Sequence, residues 1–349
     1  MKFPNVVSSD SLTTRAALQL FNEVGGTDLP LVLFVVNAEG QMIGALTDGD
    51  IRRGLLKGYS VEDDIHRFIY TRFRYLEQGN ISTQALRDFR AIKVYLVPVL
   101  NKNREIVDIL DLSKLKGFVP AEAVIMAGGR GERLRPLTDQ TPKPLVKVGK
   151  KPILEHGLDH LAKFWIKDIT LSVRYLADQI QDYFGDGSQR GLNIRYLTET
   201  QPLGTIGALA QLRPQQDNIL LMNSDLLTNI NLADFYEAFQ KSEADMAVAT
   251  VPYLVNVPYG VLETSGQEVV SLKEKPTYTY HSNAGIYLFK KELIQLIPRD
   301  TFYNATDLMT RLMAEKRKLV HFPIIDYWLD IGNHIDYQKA QEDIKHLAL

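Results

Sequence analysis

The chain has 349 residues, 45% hydrophobic and 23% charged, which suits about two soluble globular domains, each with its own core. A formal net charge of −2 gives no sign of a nucleic-acid partner, and the lack of cysteine excludes thiol catalysis, disulfides and thiolate zinc sites. The start, MKFPNVVSSD, lacks the apolar run of a signal peptide, and runs such as LPLVLFVV are too short to cross a bilayer. The expectation is a cytoplasmic protein with no membrane association.

The first third carries a weak internal repeat. One copy reads SLTTRAALQLF…LVLFVVNAEGQMIGALTDGDIRRGLL, the other NISTQALRDF…VYLVPVLNKNREIVDILDLSKL. Each predicts a polar helix start, an apolar-periodic helix, a strand, a polar turn, a strand and a further helix start. The turns NAEGQ and NKNRE lie between β-branched runs, as in hairpins. Neither unit buries a sheet face alone, so the two are expected to pack together. Gly117 and Pro120 in KLKGFVP punctuate a linker, which sets the expected domains at 1–118 and 120–349.

After Pro120 the pattern changes. AEAVIMAGG predicts a short apolar strand running into glycines. DITLSVRY, NIRYLTET, NILLMNSDLL and ADMAVATVPY are further strand candidates, and ILEHGLDHLAKFW and LADFYEAFQKS predict helices between several of them. Such alternation argues for an α/β, mostly parallel sheet covered on both faces, with ligands at the carboxyl ends of its strands. The segment MAGGRGERLRPLTDQTPKPL follows the first strand directly. Gly128, Gly129 and Gly131 permit close backbone approach, and successive N–H groups form an anion-binding concavity. Arg130, Arg133 and Arg135 suit phosphate oxygens, and Lys143 is a flexible amine held between Pro142 and Pro144. No Gly-Lys-Ser/Thr is present, and Leu134 stands where a dinucleotide fingerprint needs its third glycine. A glycine-rich turn with a solvated basic surface is the bland alternative.

The segment resembles the signature of the sugar-1-phosphate nucleotidyltransferases. The likeness runs from Val124 to about Tyr337, with QPLGTIGAL, LLMNSDLL, YGVLE, LKEKP, SNAGIYLF and YWLDIGNHIDY in family order. The resemblance implies a Rossmann-like sheet and transfer of a nucleoside monophosphate from a triphosphate to a sugar 1-phosphate. Arg133 matches the family's phosphate-binding arginine and Lys143 its essential lysine. Asp225 and Asp330 match two carboxylates that hold Mg²⁺, although an aspartate after a strand is by itself more often a cap. Backbone at Gly128, Gly129 and Gly131 would lie against the nucleotide, and Gln201, Gly204 and Thr205 match the loop that reads the base. Gly260, Glu274, Lys275 and Asn283 would meet the sugar phosphate. Lys273 reads as solvated, Tyr327 and Trp328 as packing residues, and the histidines, among them His156, His160 and His334, show no metal-ligand spacing.

MIGALTDGDIRRGLL resembles the end of a CBS motif, so the repeat resembles an α+β CBS pair. The resemblance places phosphate- and ribose-binding groups of a regulatory nucleotide at Thr47 and Asp50. Helix capping by the same two residues is the alternative. In the second copy Leu110 and Ser113 are read at those places. The chain ends soon after DYQKA, where the β-helical acyltransferase tail of some relatives would begin. The expected partners are a nucleoside triphosphate, with GTP favoured, a sugar 1-phosphate, a nucleotide at the CBS pair and further copies of the chain in a homo-oligomer. Two other readings stay open: a nucleotidyltransferase acting on another triphosphate or a non-sugar phosphate, and a non-catalytic nucleotide sensor.

Overall fold

The computed structural model describes residues 3, 5–9, 12–24 and 32–347. Met1, Lys2, Pro4, Asp10, Ser11 and residues 29–31, which entered the readings of the N-terminus and first repeat, lie outside them. The chain divides into two compact units, Met1–Phe118 and Val119–Leu349. No helix among the described residues is long and apolar enough to cross a membrane.

The first unit contains the same motif twice. Strand β1 (Val6–Ser8), helix α1 (Thr14–Val24), β2 (Val32–Val36), β3 (Met42–Thr47) and α2 (Asp48–Leu56) form the first copy. Strand β4 (Leu76–Glu77), α3 (Thr83–Ala91), β5 (Leu96–Leu100) and β6 (Ile106–Asp111) form the second. In each, the first strand pairs parallel with the second and the second antiparallel with the third. Strands β1 and β4 escape a periodicity reading because two or three residues carry no period. The expected hairpins are present. Asn37 and Asn101 each accept, through Oδ1, the N–H of the residue four places on, at 2.8 and 3.0 Å. The copies pack together through Phe34, Val36 and Met42 of one and Leu96 and Leu100 of the other.

The groups expected to hold a regulatory nucleotide hold each other. Thr47 is the N-cap of α2 and forms a capping box with Asp50. The Thr47 N–H donates to Asp50 Oδ2 at 2.9 Å, and Asp50 N–H donates to Thr47 Oγ1 at 3.2 Å. Asp50 Oδ1 accepts from the Arg53 guanidinium at 2.6 Å. The capping alternative is therefore the one the geometry displays, because four orphan N–H groups at a helix start need acceptors. The register of the second copy also needs correction. Val32 faces Thr47 and Leu96 faces Asp111 at the same ends of the two ladders, so Asp111, not Leu110, is the counterpart of Thr47, and Lys114, not Ser113, that of Asp50. Asp111 Oδ1 accepts the Ser113 N–H at 3.0 Å, but no helix follows. Thr47→Val is expected to lower the stability of this unit by about 1 kcal/mol through loss of the cap. Urea denaturation of the full chain measures this, and an unmoved midpoint would remove the capping role.

The second unit opens with β7 (Glu122–Ala127), a small hairpin of β8 (Lys147–Val148) and β9 (Lys151–Pro152), and α4 (Ile153–Ala162). Next come β10 (Asp168–Val173), α5 (Ala177–Phe184), β11 (Asn193–Thr198), β12 (Asn218–Asn223), β13 (Leu226–Thr228) and α6 (Leu232–Ser242). The remainder is β14 (Met246–Asn256), β15 (Val261–Ser265), β16 (Glu268–Lys273), β17 (Thr277–Lys290), α7 (Ala305–Ala314), β18 (Leu319–Pro323), β19 (Trp328–Asp330) and α8 (His334–Asp343). Seven strands form the main sheet in the order β11-β10-β7-β12-β17-β14-β18, and β17 alone runs antiparallel to its neighbours. Alternate residues of β7 face opposite cores. Ala123, Ile125 and Ala127 join Leu158, Ile180 and Phe235 from α4, α5 and α6, whereas Val124 joins Leu209, Leu293 and Leu308 on the other side. Burial on both faces explains why β7 reads as a continuous apolar run. Strands β10 and β12 flank β7 on opposite sides, so loops leaving the carboxyl ends of β7 and β12 diverge and open a crevice.

Candidate active site

A cavity of about 590 Å³ fills that crevice. Its lining includes Gly128, Gly129, Gly131, Arg133, Lys143, Gly204, Thr205 and Asp225, all singled out from sequence. It also includes Arg174, Glu199, Asn223 and Ser224, which were not. Asn223 is the last residue of β12 and the other three lie one residue past the ends of β10, β11 and β12, so strand-end position in a parallel sheet was the signal that would have found them.

Lys143 lies in a 3₁₀ turn, Lys143–Leu145, between Pro142 and Pro144, and only 8% of it is exposed. Its aliphatic stem packs against Gly131. A Cβ on Gly131 would come within 2.9 Å of the Lys143 Cβ and 3.0 Å of Thr138 Cγ2, and the residue has φ +63°. Thr138 Oγ1 donates to the Gly131 carbonyl at 2.8 Å and fixes the loop. Only glycine meets both demands, so Gly131 acts here by placing the lysine.

Pairing of β13 with β19 brings together two carboxylates far apart in sequence. Leu226 faces Asp330, and the Ile331 N–H donates to the Asp225 carbonyl at 3.0 Å. Lys143 Nζ donates to Asp225 Oδ2 in a close ion pair. Asp225 Oδ1 and Asp330 Oδ1 are buried and find no hydrogen-bond partner among the described residues. Burial, then the charge of Asp225, push the Asp330 carboxyl above the usual carboxylate range, while Lys143 and Arg133 act the other way. Arg133 itself is exposed, and its guanidinium lies beside Gly332, two residues past Asp330. Two cations thus stand at two carboxylates that each keep one unused oxygen.

Gly204 has φ +75°, and a Cβ there would come within 2.7 Å of the Tyr303 carbonyl. The neighbouring Thr205 does not turn its hydroxyl to a ligand. Its Oγ1 accepts the Ala305 N–H at 2.8 Å, and its own N–H donates to Asn304 Oδ1 at 3.2 Å, tying the 199–205 loop to the start of α7. Gln201 is also displaced from its expected role: it lies outside the cavity lining and donates its amide to the Asp300 carbonyl at 3.0 Å. A strongly bent loop needs its polar side chains to anchor it.

The expected sugar-phosphate residues do not line the cavity. Gly260, Glu274 and Lys275 lie exposed on a β arm built from the outer parts of β14 and β17 and the β15–β16 hairpin, where Gly260 and Glu274 adjoin. Asn283, on β17 opposite Thr250, donates to Tyr287 Oη at 2.8 Å and accepts the Gly285 N–H at 2.9 Å. Gly285 in turn packs on Asn223 of the cavity wall, so Asn283 stands near the cavity without entering it. Lys273 pairs with Glu263 in the open. Trp328 donates to the Ala284 carbonyl at 2.9 Å and Tyr327 to Asp343 at 2.6 Å. His156, His160 and His334 each bond a backbone carbonyl.

Residues 122–346 match the model of the nucleotidyl transferase family. The chain belongs to that family. This nucleotidyl transferase is 32% identical over 232 residues to D-glycero-alpha-D-manno-heptose 1-phosphate guanylyltransferase of Aneurinibacillus thermoaerophilus, a match covering 64% of this chain and 99% of that one. It is 31% identical over 230 residues to mannose-1-phosphate guanylyltransferase of Mycobacterium tuberculosis, where the match covers 64% of each chain and so less than two thirds of that relative. HddC from Yersinia pseudotuberculosis, solved in complex with GMP-PN, superposes with a TM-score of 0.51 at 27% identity, over 64% of this nucleotidyl transferase and 99% of that chain.

The carboxylate pair carries a stability consequence. The folded-state pKa of Asp330 is raised, so its carboxyl favours folding while protonated, and that contribution is lost as pH rises through the raised pKa. At pH 7 without divalent metal, Asp330→Asn is expected to raise the melting temperature by roughly 2–4 °C, the shift that ~1 kcal/mol produces in a unit of this size. Calorimetry in chelated buffer checks it; a lower melting temperature would show that the carboxylate stabilises the fold.

Proposed function

We propose that the protein transfers GMP from GTP to a sugar 1-phosphate of the mannose, heptose or glucosamine type, forming a GDP-sugar and pyrophosphate. The observation that carries this reading is the juxtaposition of Arg133, Lys143 and Asp225 in the cavity wall, with Asp330 outside the lining but close enough to feel all three charges. The names of the guanylyltransferase relatives support the choice of GTP.

The attacking group is an oxygen of the sugar phosphate. The second pKa of a phosphate monoester is about 6, so near pH 7 this oxygen is already mostly ionised and no general base is required. It forms a bond to the α-phosphorus of GTP while the bond to the bridging oxygen of the β-phosphate breaks, and that electron pair leaves with pyrophosphate. Two anions must be brought into line, which calls for fixed cations and positioning. Lys143, already buried and stiffly held, meets charge on the α-phosphate without having to move. Arg133, exposed at the rim, reaches the departing phosphates with its planar fork. Backbone at Gly128 and Gly129 leaves room for the phosphates against the end of β7.

Asp225 and Asp330 fit Mg²⁺, since each keeps a buried oxygen without a partner and hard oxygen donors suit that ion. When bound, Mg²⁺ would supply Lewis-acid polarisation of the α-phosphate. The β arm bearing Gly260, Glu274 and Lys275 would meet the sugar phosphate on closing over the cavity. For the first unit, the duplicated β-α-β-β motif supports the CBS-pair reading, and a regulatory or oligomerisation role goes with that reading. The lack of cysteine suits the cytoplasm.

Pyrophosphate release measured across GTP, ATP, UTP and dTTP with mannose, heptose and glucosamine 1-phosphates tests the activity; no release with any pair would remove it. Lys143→Ala is expected to cut kcat by about 10²–10³-fold, as for loss of one transition-state donor. EDTA is expected to abolish turnover and excess Mg²⁺ to restore it. Full activity in chelated buffer would refute the metal role of the two aspartates.

A further inference from the structure

We infer that His281 and His321 form a second metal site, at the root of the β arm, for a divalent ion of the Zn²⁺, Ni²⁺ or Cu²⁺ class. This site is independent of the guanylyltransferase reading and uses none of the residues that line the cavity.

Strand order brings the two histidines together from distant parts of the sequence. In the main sheet β14 lies between β17 and β18. His281 on β17 faces Pro252 of β14, and His321 on β18 faces Val248 of β14. Val248, Thr250 and Pro252 alternate along β14, so they and the histidines opposite them share one face of the sheet. The imidazole rings meet over that face, with centroids 4.6 Å apart and planes inclined at 53°. A shared ion would impose this separation. With metal–nitrogen bonds of about 2.0–2.1 Å and nitrogens at about 90–110° to one another, two ring centres stand roughly 4.5–5.2 Å apart.

Ring packing alone also permits such a distance, so the polar contacts decide between the two readings. Thr250 is 5% exposed, and its Oγ1 lies 3.2 Å from His321 Nδ1. The hydroxyl has a single proton, and the Phe322 carbonyl accepts it at 3.5 Å. Oγ1 is then left to accept the Nδ1 proton of His321, and that tautomer keeps the Nε2 lone pair free. A buried oxygen holding the far nitrogen of an imidazole is the arrangement that stands behind metal-bound histidines, where it fixes the tautomer and the ring orientation. His281 makes no hydrogen bond with the described residues beyond its contact with the His321 ring. Both histidines are exposed, so an ion and its waters have access.

Donor chemistry sets the class of ion. Imidazole nitrogens suit Zn²⁺, Ni²⁺ and Cu²⁺, whereas Mg²⁺ takes oxygen ligands, so this pair and the carboxylates of Asp225 and Asp330 would select different metals. Among the described residues no third histidine, aspartate or glutamate joins the pair, and water would complete the coordination. Binding would tie β17, which carries the arm, to the edge strand β18.

The test titrates the full-length protein with ZnCl₂, NiCl₂ and CuCl₂ in the presence of excess MgCl₂, followed by calorimetry. One site that Mg²⁺ does not block is expected. His281→Ala and His321→Ala are each expected to weaken binding by more than about 10-fold, and Thr250→Val, which keeps the shape and removes the hydroxyl, by about 10-fold. The Cu²⁺-loaded wild type is expected to show electron paramagnetic resonance coupling to two imidazole nitrogens, and either histidine variant to one. Absence of binding by all three ions at millimolar concentration overturns the site. So does an affinity that neither histidine variant changes, since the ion then sits elsewhere on the surface. Should the variants fail to fold, the wild-type spectrum decides, and coupling to fewer than two imidazole nitrogens overturns the site.

Discussion

The charged end of the cavity is arranged about one buried ion pair, Lys143 with Asp225, beside which Asp330 adds a second carboxylate. Burial and the neighbouring charge of Asp225 both disfavour the ionised form of Asp330. One lysine neutralises part of this, and the fold holds that lysine by several independent means. The flanking prolines stiffen its backbone, Gly131 makes room for its stem, and a small core of Leu134, Val146, Leu227, Leu329 and Ile331 fastens its loop to β13 and β19. Breaking a buried pair of this kind typically costs about 3–5 kcal/mol because the partner is left uncompensated. On the proposed function, the site trades stability for charges set in advance where phosphate charge would develop, as electrostatic preorganisation requires.

The same edge of the sheet separates two chemically different ends of the cavity. Cations and carboxylates gather where β7 and β12 part, and Glu199 stands where β11 ends. The loop between Glu199 and Thr205 forms the remaining wall. Its shape depends on contacts with residues 301–305: backbone at Gly204 and Gly207, the Thr205 hydroxyl and the Asn304 side chain. This loop is braced by the start of α7.

The first unit shows how duplication and divergence appear in hydrogen bonds. Both copies keep the asparagine-anchored hairpin and the same strand pairing. Both also keep a side-chain acceptor at the end of the third strand, threonine in one and aspartate in the other. Only the first copy then continues into a helix, where Asp50 completes the box and Arg53 neutralises it. In the second, Lys114 occupies the position of Asp50 and pairs back to Asp111.

The sequence alone determined whatever depends on local pattern. Alternating strands and helices announced a mostly parallel sheet, the strand AEAVIMAGG placed the glycine segment at its carboxyl edge, and the charged residues of that segment named Arg133 and Lys143. The ordered motifs added Asp225 and Asp330 as a pair. The tertiary structure alone decided which of these side chains face a ligand and which hold the protein together. Thr205 and Gln201 turned out to anchor a loop and Gly131 to seat a lysine, because their partners are remote in sequence, whereas capping by Thr47 and Asp50 was already one of two readings and the structure displays it. Glu199 went unnoticed for the converse reason. Its setting is made by Ser172 and Gly128, at the ends of strands β10 and β7, and only the lateral order of the sheet brings those strand ends beside it. Motif reading names residue types along a chain, whereas the free acceptor capacity of a carboxylate is a property of the neighbours that the fold assembles around it.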